Sequence, residues 1–558
     1  MIFGRKNLRT GLMWAAVVLC AIAAHADEPP LHQRIDGLLE ATATAAGLAA
    51  APPADDAAFL RRVYLDLAGR IPSPAESCAF LADTAADKRQ KLVDVLIAGP
   101  DYPRRMQELF HVLLMERLGD HAEWTRFLRG AFEKNLSWDQ IVRALLAPNP
   151  DDAELRGAAF FLTKRLENYG QNPVDLPALT RDVGRLFLGL DLQCAQCHNH
   201  LFIDDYKQAD FQGLFAFVGH TFIRGDVQFP AVGENLLQQK LEFTSVLTKE
   251  KQSIGPRLPG GTEVEIPTFN KGEEFSTPPD RSKNFPGIPK FSPLKTLAEQ
   301  LARADNPQFA KNAANRLWFV MLGRGLVHPL DLQHGKNPPS HPELLDLLAR
   351  EFAAHGCDIR WLLRELALTR AYQRSSQFAE GAQPPAPETF LLALERPLSA
   401  EQLLMSILEA TGERPRWQPP APLAAGAQPS PEEIKQREAE TARMDELRKR
   451  FQSAFANPPR EPEVEFAPSV KAALFLMHDA TVLSWLAPQP GNLAERLLAL
   501  TDAPALADEL YLSVLSRPAA DEERAAVAAY LMQEPDRPKA VRQLIWSLLA
   551  STEFCVNH

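Results

Sequence analysis

Residues 59–76 read FLRRVYLDLAGRIPSPAE, and this stretch decides the fold class. Phe59, Leu60, Val63, Tyr64 and Leu67 recur at three- and four-residue steps, which gathers them on one face of a helix. A stop and a new start follow at once. Ser73 can cap, Pro74 suits a first helical turn, and Glu76 stands where it can close a capping box with Ser73. Amphipathic repeats continue at 91–97 and 106–118, so helix is expected from 59 to about 145.

Further along, the pattern changes and then returns. Between 219 and 290 the triplets Val227-Gln228-Phe229, Leu241-Glu242-Phe243 and Val264-Glu265-Ile266 alternate apolar and polar residues, and Gly and Pro punctuate them. That predicts a small strand-rich insert. Helices resume near Leu294, and Ser340-His341-Pro342-Glu343 reads as another capping box. Residues 381–431 are rich in proline and alanine around one helix at 399–410, a composition expected to be partly extended and exposed. Residues 432–450 are charged throughout and predict a solvated helix. The fold class is mainly α: two helical domains, 27–218 and 291–558, with the strand-rich insert 219–290 between them.

One echo links the two ends. Residues 64–82 (YLDLAGRIPSPAESCAFLA) and 511–531 (YLSVLSRPAADEERAAVAAYL) each carry a Tyr-Leu pair, an Arg six residues after the Tyr, a Pro, and a Glu four after the Pro. Two unrelated helix–turn–helix units sharing caps would look like this, as would two related units packed together.

Residues 1–26 predict an export signal. Arg5, Lys6 and Arg9 precede a short apolar run, and Ala24-His25-Ala26 offers a cleavage site after Ala26. The run is shorter than the roughly 20 residues that span a bilayer, and no later stretch qualifies, so no transmembrane anchor is expected after cleavage. Cleavage removes three positive charges and moves the formal charge from −11 to −14. An acidic surface repels phosphates and argues against nucleic acid as partner, leaving other exported proteins in a periplasmic or extracellular setting. Cys78, Cys194, Cys197, Cys357 and Cys555 remain, an odd number too small for a disulfide-stapled scaffold.

Two of those five form the sharp chemical feature, Cys194-Ala195-Gln196-Cys197-His198. C-x-x-C-H is the form of a covalent c-type haem site: two thiols one turn apart can bond the porphyrin edge, and the adjacent imidazole can ligate the iron. The cofactor-binding candidates are therefore Cys194, Cys197 and His198, with haem c as the group and His220, Met477 or His478 as further-ligand candidates. A non-haem ion such as zinc is open as well. Zinc prefers four ligands, and no second C-x-x-C exists, so His198, His200, Asp204 and Asp205 form the local metal-ligating candidates. A redox disulfide is the third possibility. Phe202, Phe211, Phe215 and Phe217 could wall a haem or could be plain core. No nucleophile–base pair or paired carboxylate singles itself out, and catalytic residues are not assigned; the capping box accounts for His341 without catalysis.

The residues also carry a resemblance. Residues 59–71 (FLRRVYLDLAGRI), 88–96 (KRQKLVDVL), 192–202 (LQCAQCHNHLF), 315–327 (NRLWFVMLGRGLV) and 339–348 (PPSHPELLDLL) occur in the order found in exported planctomycete-type cytochrome-like proteins. Those proteins pair domain of unknown function 1549 (PSCyt2-type) with domain of unknown function 1553 (PSD1-type), and the chain resembles them over most of its length. Leu201 stands where many relatives have proline or lysine, and His478 where asparagine is expected. The resemblance implies export and a cytochrome-like site. It implies no established reaction, only an association with polysaccharide degradation; the alternative reading of the cysteine–histidine cluster is an exported non-haem metal-containing scaffold or binding protein in that setting.

Overall fold

A computed structural model describes residues 28–168, 174–417, 429–460 and 470–558. The proposed signal, 1–26, and residues 418–428 of the Pro/Ala-rich segment lie outside the described residues.

The opening stretch folds as its pattern dictates. Helix Asp56–Leu67 starts at Asp55, whose carboxylate accepts from Ala58 N at 2.8 Å, and helix Pro74–Ala82 starts with the Ser73–Glu76 capping box. Phe59, Leu60, Val63 and Leu67 are fully buried. Two helical domains follow, joined by a region of two-stranded antiparallel pairs: Thr221–Ile223 with Val232–Glu234, Leu241–Thr244 with Lys251–Ile254, and Phe275–Thr277 with Ile288–Pro289. The main apolar core runs from Leu31 to Phe390 and takes side chains from both sides of this region. A second core joins the helices between Leu398 and Phe554 to Leu65 and Ile71 of the opening stretch. No described helix is long and apolar enough to cross a membrane.

Arginines bind the chain's two ends together. Arg61 donates to Phe554 O at 2.8 Å, and Arg62 donates to Arg374 O at 2.8 Å and to His558 O at 3.0 Å. Asp66, 3% exposed, accepts from Tyr372 Oη at 2.7 Å, Arg396 at 2.7 Å and Asn557 Nδ2 at 2.9 Å. Burial, then the neighbouring Asp66 carboxylate, pushes the Tyr372 hydroxyl well above its usual range, so it stays a donor. Strand Arg396–Pro397 pairs with Val556–Asn557 beside this hub.

The echo between the ends is structural. Arg70 lies over the Tyr64 ring at 5.1 Å and grips Glu76 with both terminal nitrogens; Arg517 lies over Tyr511 at 5.3 Å and grips Glu523 the same way. Each glutamate closes back on a backbone N–H at 2.7 Å, of Ser73 in one copy and Ala520 in the other. Gly69 and Ser516 occupy matching left-handed positions at φ 66° and 64°. The second glutamate is Glu523, one past the Glu522 that counting from the proline selects. The two units pack together, with Arg61 reaching Val514 O.

Four expectations need correction. Val227–Phe229 and Val264–Ile266 are not strands. Phe229 instead lies beneath the Arg156 guanidinium at 4.4 Å, and Val264 packs on the main core with its N–H on Pro256 O, so alternation there reflects loop packing. The Ser340 box does not form. His341 is the cap residue and makes no side-chain cap bond, while Ser340 N–H goes to Leu326 O. Within 381–431, Phe390, Leu391 and most of helix Ala400–Thr411 are buried, because the short strand pairing draws the segment into the second core. Helix Pro431–Phe455 is solvated only in part, since Met444, Leu447, Phe451 and Ala454 are buried.

Candidate functional site

The Cys194–His198 loop is fixed from three directions. Helix Leu176–Val183 runs into a wide turn, Gly184–Leu188, which ends at Gly189 with φ 71°. A Cβ at Gly189 would sit 2.5 Å from Gln333 Nε2 and 2.8 Å from Asn312 Oδ1, so only glycine lets the backbone approach the second domain here. Leu190 then bridges Leu332, and Asp191 N–H donates to Asp331 O at 2.8 Å. Gln196 accepts from Arg181 at 2.6 Å, and Val246 N–H donates to Cys197 O at 3.1 Å.

Cys194–Gln196 forms a single 3-10 turn. Residues three apart eclipse in such a turn, which puts Cys194 and Cys197 on one side. Ala195 between them is fully buried, and both cysteines are exposed and form no disulfide. His198 Nδ1 lies 2.7 Å from Asn199 O. A carbonyl oxygen only accepts, so Nδ1 carries a proton, and in the neutral ring the lone pair is then on Nε2, as in an Nε2 metal ligand.

His200 has the opposite arrangement. Its Nδ1 accepts from Phe202 N at 3.1 Å and Ile203 N at 2.9 Å, so the proton sits on Nε2. The ring caps a turn, edge-on to Tyr206, which in turn meets His334 at 5.5 Å. Asp205 accepts from Gly335 N, and Lys336 reaches Phe202 O, which ties this loop to the second domain. Asp204 is exposed. The structure therefore does not gather His198, His200, Asp204 and Asp205 at a point, and no group of three His, Cys, Asp or Glu able to hold an ion occurs among the described residues. His220 follows helix Gln208–Val218, while Met477 and His478 end helix Val470–His478. Phe211 and Phe217 are core and Phe215 packs against it; Phe202 is 73% exposed. Leu201, Val246 and Leu247 are also exposed, giving the loop an apolar rim.

Beside the loop, a cavity of about 1060 Å³ opens between the domains, with Arg181, Asp191 and Gln193 in its wall. Sequence reading missed it, because its lining comes from eight separated stretches. Arg185 grips Glu116 at 2.6 and 2.7 Å and also reaches Asp182 and Asp331, each at 3.1 Å. Arg316 pairs with Asp331. His328, half-stacked on Phe319, has a buried Nδ1 with no partner among the described residues, and burial lowers its proton affinity.

Arg117, also in this wall, forms a buried pair with Glu401, which accepts from Gln452 Nε2 at 3.0 Å as well. Burial alone would push the Glu401 carboxyl up; Arg117 and Gln452 outweigh it and hold it at about 2. A carboxylate held below its unfolded value adds stability above that value, and the gain disappears as pH falls through the folded value. Between pH 4.5 and 2 this one group is expected to remove roughly 3 kcal/mol of stability. Denaturant unfolding at stepped pH should show the loss, and Glu401→Gln should flatten it.

Fold and site together define a two-domain helical protein that presents a C-x-x-C-H turn at its surface. Residues 34–222 match the family model PSCyt2, described as protein of unknown function (DUF1549), and residues 295–531 match PSD1, protein of unknown function (DUF1553). The chain belongs to the family that combines these two domains. No curated protein and no solved structure matches it.

Proposed function

We propose that the chain is an exported cytochrome c-like protein whose Cys194–His198 turn holds a covalently attached haem and exchanges electrons with other exported proteins. The observation that carries this reading is the His198 contact: Asn199 O engages Nδ1, which directs Nε2 to ligation next to two exposed, unpaired thiols. The donor set fits a porphyrin better than a single ion. Haem attachment uses sulfurs at the ring edge and an imidazole at the iron, so the three need not converge, whereas a structural zinc site needs four that do. Cys194 and Cys197 would anchor the group, His198 would be its ligand, and Leu201, Phe202, Val246 and Leu247 provide apolar surface beside it. When bound, such a group supplies a one-electron redox centre whose potential depends on ligand and burial. The signal-like residues 1–26 support delivery to the compartment where attachment occurs.

The test is expression in a bacterium with an active haem-attachment system, followed by a haem-stained denaturing gel and metal analysis. The expected result is a stained band with iron at one equivalent. Bound zinc without a stained band would favour the non-haem scaffold instead.

A further inference from the structure

Among the described residues, one guanidinium in the wall of the cavity between the domains forms no direct ion pair. Arg105 lies on helix Asp101–Met115, is 6% exposed and lines the cavity. Its stem packs on Gly69, where any Cβ would come within 2.8 Å of Arg105 Cδ. Among the described residues its one hydrogen bond runs from Nε to Asp66 O at 3.4 Å, and no carboxylate lies within 4.0 Å of it. Its two terminal nitrogens make no hydrogen bond among the described residues, and the side chain lines the cavity. The other wall arginines contrast with it: Arg185, Arg316 and Arg396 each hold a carboxylate. Asp66, Glu108 and Glu401 act on it through space, but each bonds another arginine, Arg396, Arg104 and Arg117 in turn, so the charge-assisted bonding of Arg105 is left open. Around it the wall is largely apolar, with Leu109, Val112, Leu113, Val320, Leu403 and Met477.

We propose that this cavity is a binding site for an organic anion, with the carboxylate or sulfonate of the ligand on the Arg105 fork and its apolar body against the Leu109–Leu113 wall. The volume, about 1060 Å³, is at the upper end of sites that enclose small molecules. The inference stands apart from the haem reading, since it needs neither cysteine.

The test uses the full mature chain and two dyes of similar shape: anionic 8-anilinonaphthalene-1-sulfonate and neutral N-phenyl-1-naphthylamine, each titrated by fluorescence. Wild type is expected to bind both. Arg105→Met should weaken the anionic dye by about tenfold or more and leave the neutral dye unchanged, since a charge-assisted bidentate pair is lost. Leu113→Trp, which fills the cavity, should weaken both. Decanoate should displace the anionic dye and sodium sulfate should not. If circular dichroism shows that Arg105→Met does not fold, Arg105→Lys takes its place, with the same selective weakening expected. Equal affinity of the folded Arg105 variant for the anionic dye, unchanged binding in Leu113→Trp, displacement by sulfate as effective as by decanoate, or no binding by wild type would each overturn the proposal.

Discussion

A chain carrying Cys194→Ala and Cys197→Ala, made in a haem-attaching host, is expected to lose all denaturation-resistant haem stain and yet to unfold within about 0.5 kcal/mol of the parent. The two halves of that expectation have separate causes. Thioether links are the only bonds to a porphyrin that survive a denaturing gel, and both would be gone. Neither thiol packs against the core, because the turn is anchored instead by buried Ala195 and by the bonds from Arg181 to Gln196 and from Val246 to Cys197. Each single variant keeps one attachment point and should retain some stain. A double variant that stains like the parent would show that any haem is held elsewhere. A double variant that loses several kcal/mol would show that the thiols are packing groups after all.

Asp66→Ala has the largest expected effect on stability, a loss of about 3–5 kcal/mol, read as a lower denaturant midpoint. Asp66 takes hydrogen bonds from Tyr372, Arg396 and Asn557, which come from three distant stretches. Removing it leaves the Arg396 guanidinium, which keeps only Val320 O among its described partners, without a counter-charge. It also frees the strand pair between Arg396–Pro397 and Val556–Asn557 from its neighbour. Asp66→Asn keeps the shape and part of the hydrogen bonding, and should recover some of the loss. A change below about 1 kcal/mol for the alanine variant would mean that the hub is dispensable.

The sequence was most legible where the physics is local. The 59–67 periodicity and the Ser73–Glu76 box form as the spacing requires, since both depend on residues within one or two turns. The Tyr–Arg–Glu echo is visible too, although counting from the proline selects Glu522; the arginine takes Glu523 because that carboxylate can also close on Ala520 N. Legibility fell where tertiary packing decides. Val227–Phe229 has a strand-like pattern, but Phe229 is held by Arg156, from the first helical domain. Ser340 has the right neighbours for a box, yet its N–H is already engaged by Leu326 O and the helix begins one residue later. For the site, C-x-x-C-H was plain in the sequence, but the contrast between His198 and His200 was not. It rests on whether Nδ1 meets a carbonyl or an N–H, which only folded coordinates resolve. Arg105 was hidden for the same reason: within its helix it reads as a surface charge, and only Gly69 and the second domain turn it into a buried one.

Peptide mapping of the exported chain by mass spectrometry reads directly whether Cys194 and Cys197 carry a haem. Trypsin should release residues 186–207, which contain both thiols and His198. This peptide is expected to carry the added mass of one haem and to offer neither cysteine to an alkylating reagent. Recovery of the same peptide with both cysteines alkylated and no porphyrin mass, from a host that attaches haem to a control cytochrome, would contradict it.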